Sequence, residues 1–413
     1  MTRRRVVVTG LGGLTSLGVG FDKTWEGLVS GKSGIAPIQR FDVSAFPVRF
    51  AGLVNEYEAE KFFPKVESKK LDLFTQYAVV AADEAIKDSG VDLEACNRDR
   101  VGCVLGSGIG GINELEATHT TYMERGPDRI SPHFIPKLMV NAMSGVISIR
   151  HGLRGTNFVT GSACASAGHA IAMALRAIQY DEADMIVSGG SETAVTPLGL
   201  GGFCALRALS TRNDDPQAAS RPFDKDRDGF VMGEGAAIVV LEELEHAKKR
   251  GARIYAEFLG FGSTADAHHI TAPKEDGAGP SRAMLTALRD GGVSPDQVSY
   301  INAHGTSTHY NDAIETTAIK RTFGDHARKL AISSTKSMIG HLLGASAAVE
   351  FAVTALSIHK NVVHPTRNLT NPDPSCDLDY VPGAARDLNV RYALSNSLGF
   401  GGHNVSLLLG KQP

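Results

Sequence analysis

"GSACASAGHAIAMALRAI", residues 161–178, and "IGHLLGASAAVEFAVTAL", residues 339–356, are two versions of one pattern: small residues at a turn, then an alanine-rich helix. A pattern that recurs once within a chain marks an internal duplication. Working outward from each copy, β-rich runs alternate with longer helical patterns, which is the signature of an α/β layered fold. The first half offers strands at "RVVVTG" from Arg5, "VGCVLG" from Val101, "TNFVTG" from Thr156, "DMIVSGG" from Asp184 and "AAIVVLE" from Ala236. The second offers "RIYAEFLGFG" from Arg253, "VSYINAHG" from Val298, "LAISST" from Leu330, "RYALSNS" from Arg391 and "NVSLLLG" from Asn404. Both helical repeats follow the third strand of their half. The expected division is 1–250 and 251–413, with an extra stretch near 113–141 in the first half that would build a lid, a pocket wall or a partner surface.

Composition narrows the function. At 413 residues, 42% apolar and 21% charged, the chain supports a large folded core. A net charge of -3 gives no global attraction to nucleic acid, so an anionic partner needs a local basic patch. The five cysteines are odd in number and never in CxxC spacing, which points away from disulfides and zinc sites and toward a reducing, cytoplasmic setting. The start "MTRRRVVVTGLGG" has basic residues before an apolar run, but glycines break the run, and it reads as a first strand rather than a leader. No stretch approaches the roughly 18 apolar residues of a membrane span.

Three motifs imitate ligand sites. "GSGIGG" from Gly106 fits GxGxxG after a strand, yet "ELEATHTTYMERGPDRI" follows instead of the second strand a dinucleotide site needs. Its plainer reading is close passage of backbone past a neighbour. "DKDRDG" from Asp224 opens like a calcium loop, but loop position 12 is Gly235, and a solvated or salt-bridged turn fits better. His268, His269, His304 and His309 lack the helical i, i+4 spacing of a zinc pair.

Cys164 stands where a strand gives way to a helix, among Ser162, Ala163, Ala165 and Ser166, which would let a carbonyl approach the sulfur. Unpaired backbone N–H groups and the helix dipole favour thiolate there, so a lowered pKa is expected. An inert, packed cysteine is the competing reading. In the second half, His304 ends the second strand in "NAHGTST", and His341 begins the repeated helix, so three chemically useful side chains lie at strand-to-helix junctions.

With "VVVTGLG" at Val6, "GSACASAGHAI" at Gly161, "SRPFDKDRDGFVMGEGA" at Ser220, "NAHGTST" at Asn302, "STKSMIGHLLGASAAVE" at Ser334 and "NSLGFGGHN" at Asn396, the chain resembles a condensing enzyme of the thiolase-like superfamily. Within it the resemblance is to the elongating, type II β-ketoacyl-[acyl-carrier-protein] synthases and covers nearly the whole length. "GLGGLTSLG" departs slightly, at a place that carries no chemistry. The resemblance implies an internally duplicated, five-layered αβαβα fold and a homodimer. It also implies a 3-oxoacyl-[acyl-carrier-protein] synthase II reaction, in which Cys164 takes an acyl chain from acyl carrier protein as a thioester. Malonyl carrier thioester, bound by His304 and His341, then loses carbon dioxide, and its carbanion attacks the acyl group. Splitting transfer from condensation makes two easier steps of one hard one, and two donors at the developing enolate oxygen lower the barrier.

By the same resemblance Lys336 and Glu350 support the histidine site, and Thr306 and Thr308 hold the pantetheine arm. Phe400, with flanking Gly399, supplies a gate and an oxyanion N–H, while Ile109, Phe134 and Phe203 line the acyl pocket. Lys65, Lys69 and Lys70, joined by Arg207, would dock the acidic carrier, acyl- or malonyl-loaded. The implied cofactor is none beyond the carrier's own phosphopantetheine; no metal, nucleic acid or membrane is implied. Initiating synthases have asparagine in place of the second histidine, and thiolases use a late cysteine where this chain reads "GFGGHN". The rivals are a ketosynthase of a polyketide or other specialised pathway, which would share every motif, and a catalytically silent partner subunit, which would typically lose Cys164.

Overall fold

A computed structural model describes residues 3–412. It contains all ten expected strands: β1 Val6–Thr15, β2 Val101–Gly106, β3 Asn157–Thr160, β4 Met185–Glu192, β5 Gly235–Glu243, β6 Ala256–Ala265, β7 Tyr300–Asn302, β8 Ala331–Ser333, β9 Tyr392–Gly399 and β10 His403–Gly410. The main helices are α1 Leu73–Ser89, α2 Ile112–Arg125, α3 Phe134–Leu138, α4 Ala142–His151, α5 Ser166–Gln179, α6 Pro197–Ala205, α7 Ala278–Gly291, α8 His309–Phe323 and α9 Ser346–Lys360.

Strand order runs β8-β7-β9-β10-β6-β1-β5-β4-β2-β3, so the second half repeats the first with the order mirrored about the centre. Among the described residues the two sets of five pair through Val7 to Glu257 and Val8 to Ala256. Helices α1 and α4 cover one set and α7 and α8 the other, while α5 and α9, the two repeats that opened the sequence analysis, lie between the sets and touch both. That gives the five expected layers.

The sequence explains the central pair. From Ser346 to Ile358 every residue of α9 is buried, so the helix is largely apolar all round, and its one charged member in that run, Glu350, is paired with Lys336. Alanines are frequent because both sets of strands must close over the same helix. At Gly168 of α5 a Cβ would lie 2.6 Å from Val405 Cγ1 in β10, so any larger residue there forces the layers apart. Larger side chains fill the remaining space: Phe351 packs edge-on against Phe258 with ring centroids 5.0 Å apart. Removing such a buried ring costs about 3–5 kcal/mol.

The stretch near 113–141 becomes α2 and α3 and leaves Met123, Ile135 and Met139 exposed. The calcium-like turn is ion-paired, as read from sequence. Asp224 is fully buried and accepts from Arg221 Nε at 3.0 Å, while Arg227 pairs with Asp373 at 2.6 Å. Among the described residues no helix is long and apolar enough to cross a membrane.

Candidate active site

Strand ends and helix starts converge on a cavity of about 500 Å³ whose lining includes Cys164, His304, His341, Phe400, Thr306 and Thr308. The three side chains singled out in sequence therefore meet in one space. Ile109, Phe203, Arg207 and Gly399 border it too.

Cys164 lies on a short 3₁₀ turn, Ala163–Ala165, ahead of α5, and is only 8% exposed. Its N–H and that of Phe400 both point at the sulfur. Gly399 makes this approach possible, since a Cβ there would stand 2.8 Å from the Ser162 carbonyl oxygen. The expected low thiol pKa is corrected by the structure: burial pushes Cys164 up to about 11, against the opposing pull of Lys336 and the two N–H groups. Desolvation of the thiolate outweighs the helix terminus, which lies one turn further along the chain.

The histidines form an edge-to-face pair with ring centroids 5.2 Å apart and an interplanar angle of 85°. Burial first, and then the charge of Lys336, holds both well below the ordinary imidazole value, so both rings are neutral. His341 Nδ1 accepts from Leu343 N–H at 3.2 Å and meets Ser346 Oγ at 2.8 Å, which leaves the proton on Nε2. Phe230 packs edge-on against the His341 ring at 5.4 Å and against Phe203 at 5.3 Å, so an aromatic column fixes the ring from the side.

Behind the rings, Lys336 and Glu350 form an ion pair in which each side chain is 2% exposed. Burial raises Glu350 to about 7, with Lys336 opposing. Neither lines the cavity; both lie behind it. Thr306 and Thr308 share a hydroxyl hydrogen bond of 2.9 Å at the cavity wall.

Phe134 stands apart from this lining, half-buried at the start of α3. Lys65, Lys69 and Lys70 are exposed on and beside a short helix, Lys65–Ser68, outside the cavity. His268 and His269 lie on an exposed loop.

Sequence reasoning missed two buried carboxylates. Glu315 accepts from the N–H groups of His304 and Gly305, each at 2.9 Å, and so fixes the backbone beneath the first histidine. Glu192 gathers the N–H groups of the "GSGIGG" loop. The available signal was a charged residue closing the apolar run "DMIVSGGSE", where only a ring of donors makes burial tolerable.

Residues 3–247 match the family model "Beta-ketoacyl synthase, N-terminal domain", and residues 255–370 match the corresponding C-terminal domain. The chain is 51% identical over 411 residues to a 3-oxoacyl-[acyl-carrier-protein] synthase 2 of Synechocystis sp., covering 100% of this chain and 99% of the relative. It is 50% identical over the same length to the protein of that name from Coxiella burnetii, again with 100% and 99% covered. Among solved structures, a beta-ketoacyl synthase from Burkholderia phymatum superposes with a TM-score of 0.91 at 36% identity, covering 99% of this chain and 100% of that one. A type II PKS ketosynthase, AntDE, solved in complex with its acyl-carrier protein AntF, superposes with a TM-score of 0.92 at 35% identity over 100% of both chains.

Proposed function

The chain belongs to the β-ketoacyl synthase family, and from that membership and the cavity's geometry we infer how it works as a 3-oxoacyl-[acyl-carrier-protein] synthase lengthening fatty acyl chains. The observation that carries the reading is the meeting of one buried thiol, two N–H groups aimed at it and two neutral imidazoles in a single cavity.

In the first half-reaction the Cys164 sulfur attacks the acyl thioester carbonyl of the loaded carrier. The N–H groups of Cys164 and Phe400 hold the resulting oxyanion, a stabilisation felt in the transition state more than in the ground state. The carrier's pantetheine sulfur leaves and takes the thiol proton. A pKa near 11 keeps Cys164 a thiol at rest, so the proton it loses is available to the leaving group. In the second, malonyl carrier thioester enters with its carbonyl oxygen toward His304 and His341. The bond to the carboxylate breaks, carbon dioxide leaves, and the electron pair passes into an enolate held by the two imidazole donors. That carbanion forms a bond to the acyl carbonyl carbon and expels the Cys164 thiolate, which takes a proton from solvent. No metal or nucleotide is needed for atoms and electrons to balance, and the phosphopantetheine arm comes with the carrier.

Lys336 adds its charge to burial in keeping both rings unprotonated, and Glu350 keeps Lys336 in place. Thr306 and Thr308 face the arm, and Ile109 and Phe203 the acyl chain. Lys65, Lys69, Lys70 and Arg207 supply the local positive charge that acidic carrier protein requires of a chain with net charge -3. We place the enzyme in the cytoplasm as a homodimer. β3 is an edge strand with Asn157 and Phe158 exposed, and pairing it with a second copy would extend the sheet. The polyketide reading has less support, since the 3-oxoacyl-[acyl-carrier-protein] synthase 2 relatives stand near half identity and the type II PKS ketosynthase at 35%. Retained Cys164 speaks against a silent partner subunit.

The test is intact-mass measurement after incubation with carrier protein bearing acyl chains of several lengths. One acyl group should be gained by the wild type and none by Cys164→Ala. An adduct that survives in Cys164→Ala, or none in the wild type, would remove the mechanism.

A further inference from the structure

Glu192 has no part in the reaction as set out above, yet it is the most elaborately held carboxylate next to the cavity. It closes β4 and is completely buried. Oε1 accepts from Ser107 Oγ at 3.0 Å and from the N–H groups of Ile109 and Gly110, both at 3.1 Å. Oε2 accepts from Gly108 N–H at 2.7 Å and from Gly344 N–H at 3.1 Å. These partners are one hydroxyl and four amides. The amides can only donate, so an ionised carboxylate satisfies them and a protonated one would set its own hydrogen against them. Burial pushes the carboxyl upward in pKa, and the amides of Gly108, Gly110 and Ile109 with the Ser107 hydroxyl hold it down. The glycine-rich loop thus builds the nest of amides that such loops offer an anion, and the protein fills it from within.

Both segments tied by Glu192 carry cavity-lining residues. Gly108 and Ile109 belong to one; Leu343, next to Gly344, belongs to the other. Leu343 holds φ at 48° and donates its N–H to His341 Nδ1, so fixing Gly344 fixes the turn that orients the imidazole.

We propose that Glu192 is a positioning residue that couples the acyl wall at Ile109 to the His341 donor, so that one carboxylate sets the geometry of both half-reactions. The proposal rests on the roles given above to Cys164, His304 and His341. It makes Glu192 different in kind from a carboxylate that merely holds the fold together, because its charge also reaches the nucleophile. Of the groups facing Cys164, Lys336 favours the thiolate, Glu192 opposes it, and His304 and His341 are neutral.

Glu192→Gln separates the two effects. The amide keeps the volume but turns an NH₂ toward donors, which should shift both segments, while loss of the charge should ease ionisation of the thiol. Acyl transfer to Cys164 and decarboxylation of malonyl carrier protein, measured separately, should each fall about tenfold or more, the scale of a lost buried hydrogen bond to a charged group. Glu192→Asp should recover part of both rates. Meanwhile the midpoint of Cys164 alkylation by iodoacetamide should move to lower pH, which a purely structural defect would not cause. A normal rate in either half-reaction, or a midpoint that stays put or rises, overturns the proposal. If Glu192→Gln does not fold, Ser107→Ala removes one donor of five and should slow both half-reactions about threefold, and unchanged rates overturn it equally. A wild type that takes no acyl group at Cys164 would instead remove the functional reading on which the proposal rests.

Discussion

Replacing Lys336 with methionine removes the charge behind the active site while nearly preserving its volume. Lys336 and Glu350 are each 2% exposed, and stripping one partner from a buried pair costs about 3–5 kcal/mol if the other stays charged. Glu350 has a way out. Its pKa is already raised to about 7 with Lys336 present, and without the lysine it climbs further and binds a proton. A carboxyl whose folded pKa exceeds its unfolded value adds stability below the unfolded pKa and loses it as pH rises through the folded one. The wild type should therefore lose stability up to about pH 7, whereas Lys336→Met should continue to lose about 1.4 kcal/mol per pH unit above it. Catalysis shifts in the same experiment. The charge of Lys336 disfavours the imidazolium forms of His304 and His341 and favours the Cys164 thiolate. In the variant, the acid limb of malonyl decarboxylation should move to higher pH. Alkylation of Cys164 at fixed pH should slow about tenfold, one pKa unit being the low end for a nearby opposite charge. Urea melts across pH, carbon dioxide release and alkylation kinetics are the assays. Unchanged or faster alkylation, together with an unmoved acid limb, would refute the electrostatic role given to Lys336.

Charge reversal at Lys65 and Lys69 should raise the KM for carrier protein several-fold and flatten its salt dependence, since exposed charges act over about 8–10 Å at ordinary ionic strength; steady-state kinetics at two salt concentrations decide it. His364 is fully buried, with Nδ1 donating to the Pro365 carbonyl at 2.9 Å, and burial lowers it to about 4. A histidine kept neutral in the fold takes up its proton first in the unfolded chain, so it should cost on the order of 3 kcal/mol as pH falls from 6.5 to 4; a His364→Gln variant should show a correspondingly shallower acid slope in denaturant titrations. Phe158→Asp on β3 should yield a monomer by light scattering if this edge joins two copies; a stable dimer would place the interface elsewhere.

Most of the fold was legible because each strand is a short β-rich run and because the two alanine-rich repeats reveal the duplication directly. The site was legible where chemistry falls at a strand-to-helix junction, as with Cys164 and His304. What eluded sequence reading depends on three dimensions. The pKa of Cys164 is set by how far the cavity excludes water, which no local motif expresses. Glu192 and Glu315 act on backbone amides contributed from 82–152 and 10–11 positions away, respectively. Phe134 misses the cavity because the lining is decided by how α3 packs, and "GSGIGG" imitates a phosphate loop because an internal carboxylate occupies the nest a phosphate would fill.

The turn before α5 and the turn before α9 are copies of one device: Ala163 and Leu343 share the same left-handed backbone, at φ 50° and 48°, each one residue ahead of an inward-facing N–H. In one copy that amide belongs to Cys164 and points at its sulfur; in the other it belongs to Gly344 and anchors Glu192. The same turn is thus put to two uses, one aimed at the thiol and the other tied into the carboxylate beneath the His341 turn. Tolerance to change should be lopsided accordingly: altering the first turn should abolish turnover in a protein that still folds, whereas altering the second should disturb folding and turnover together.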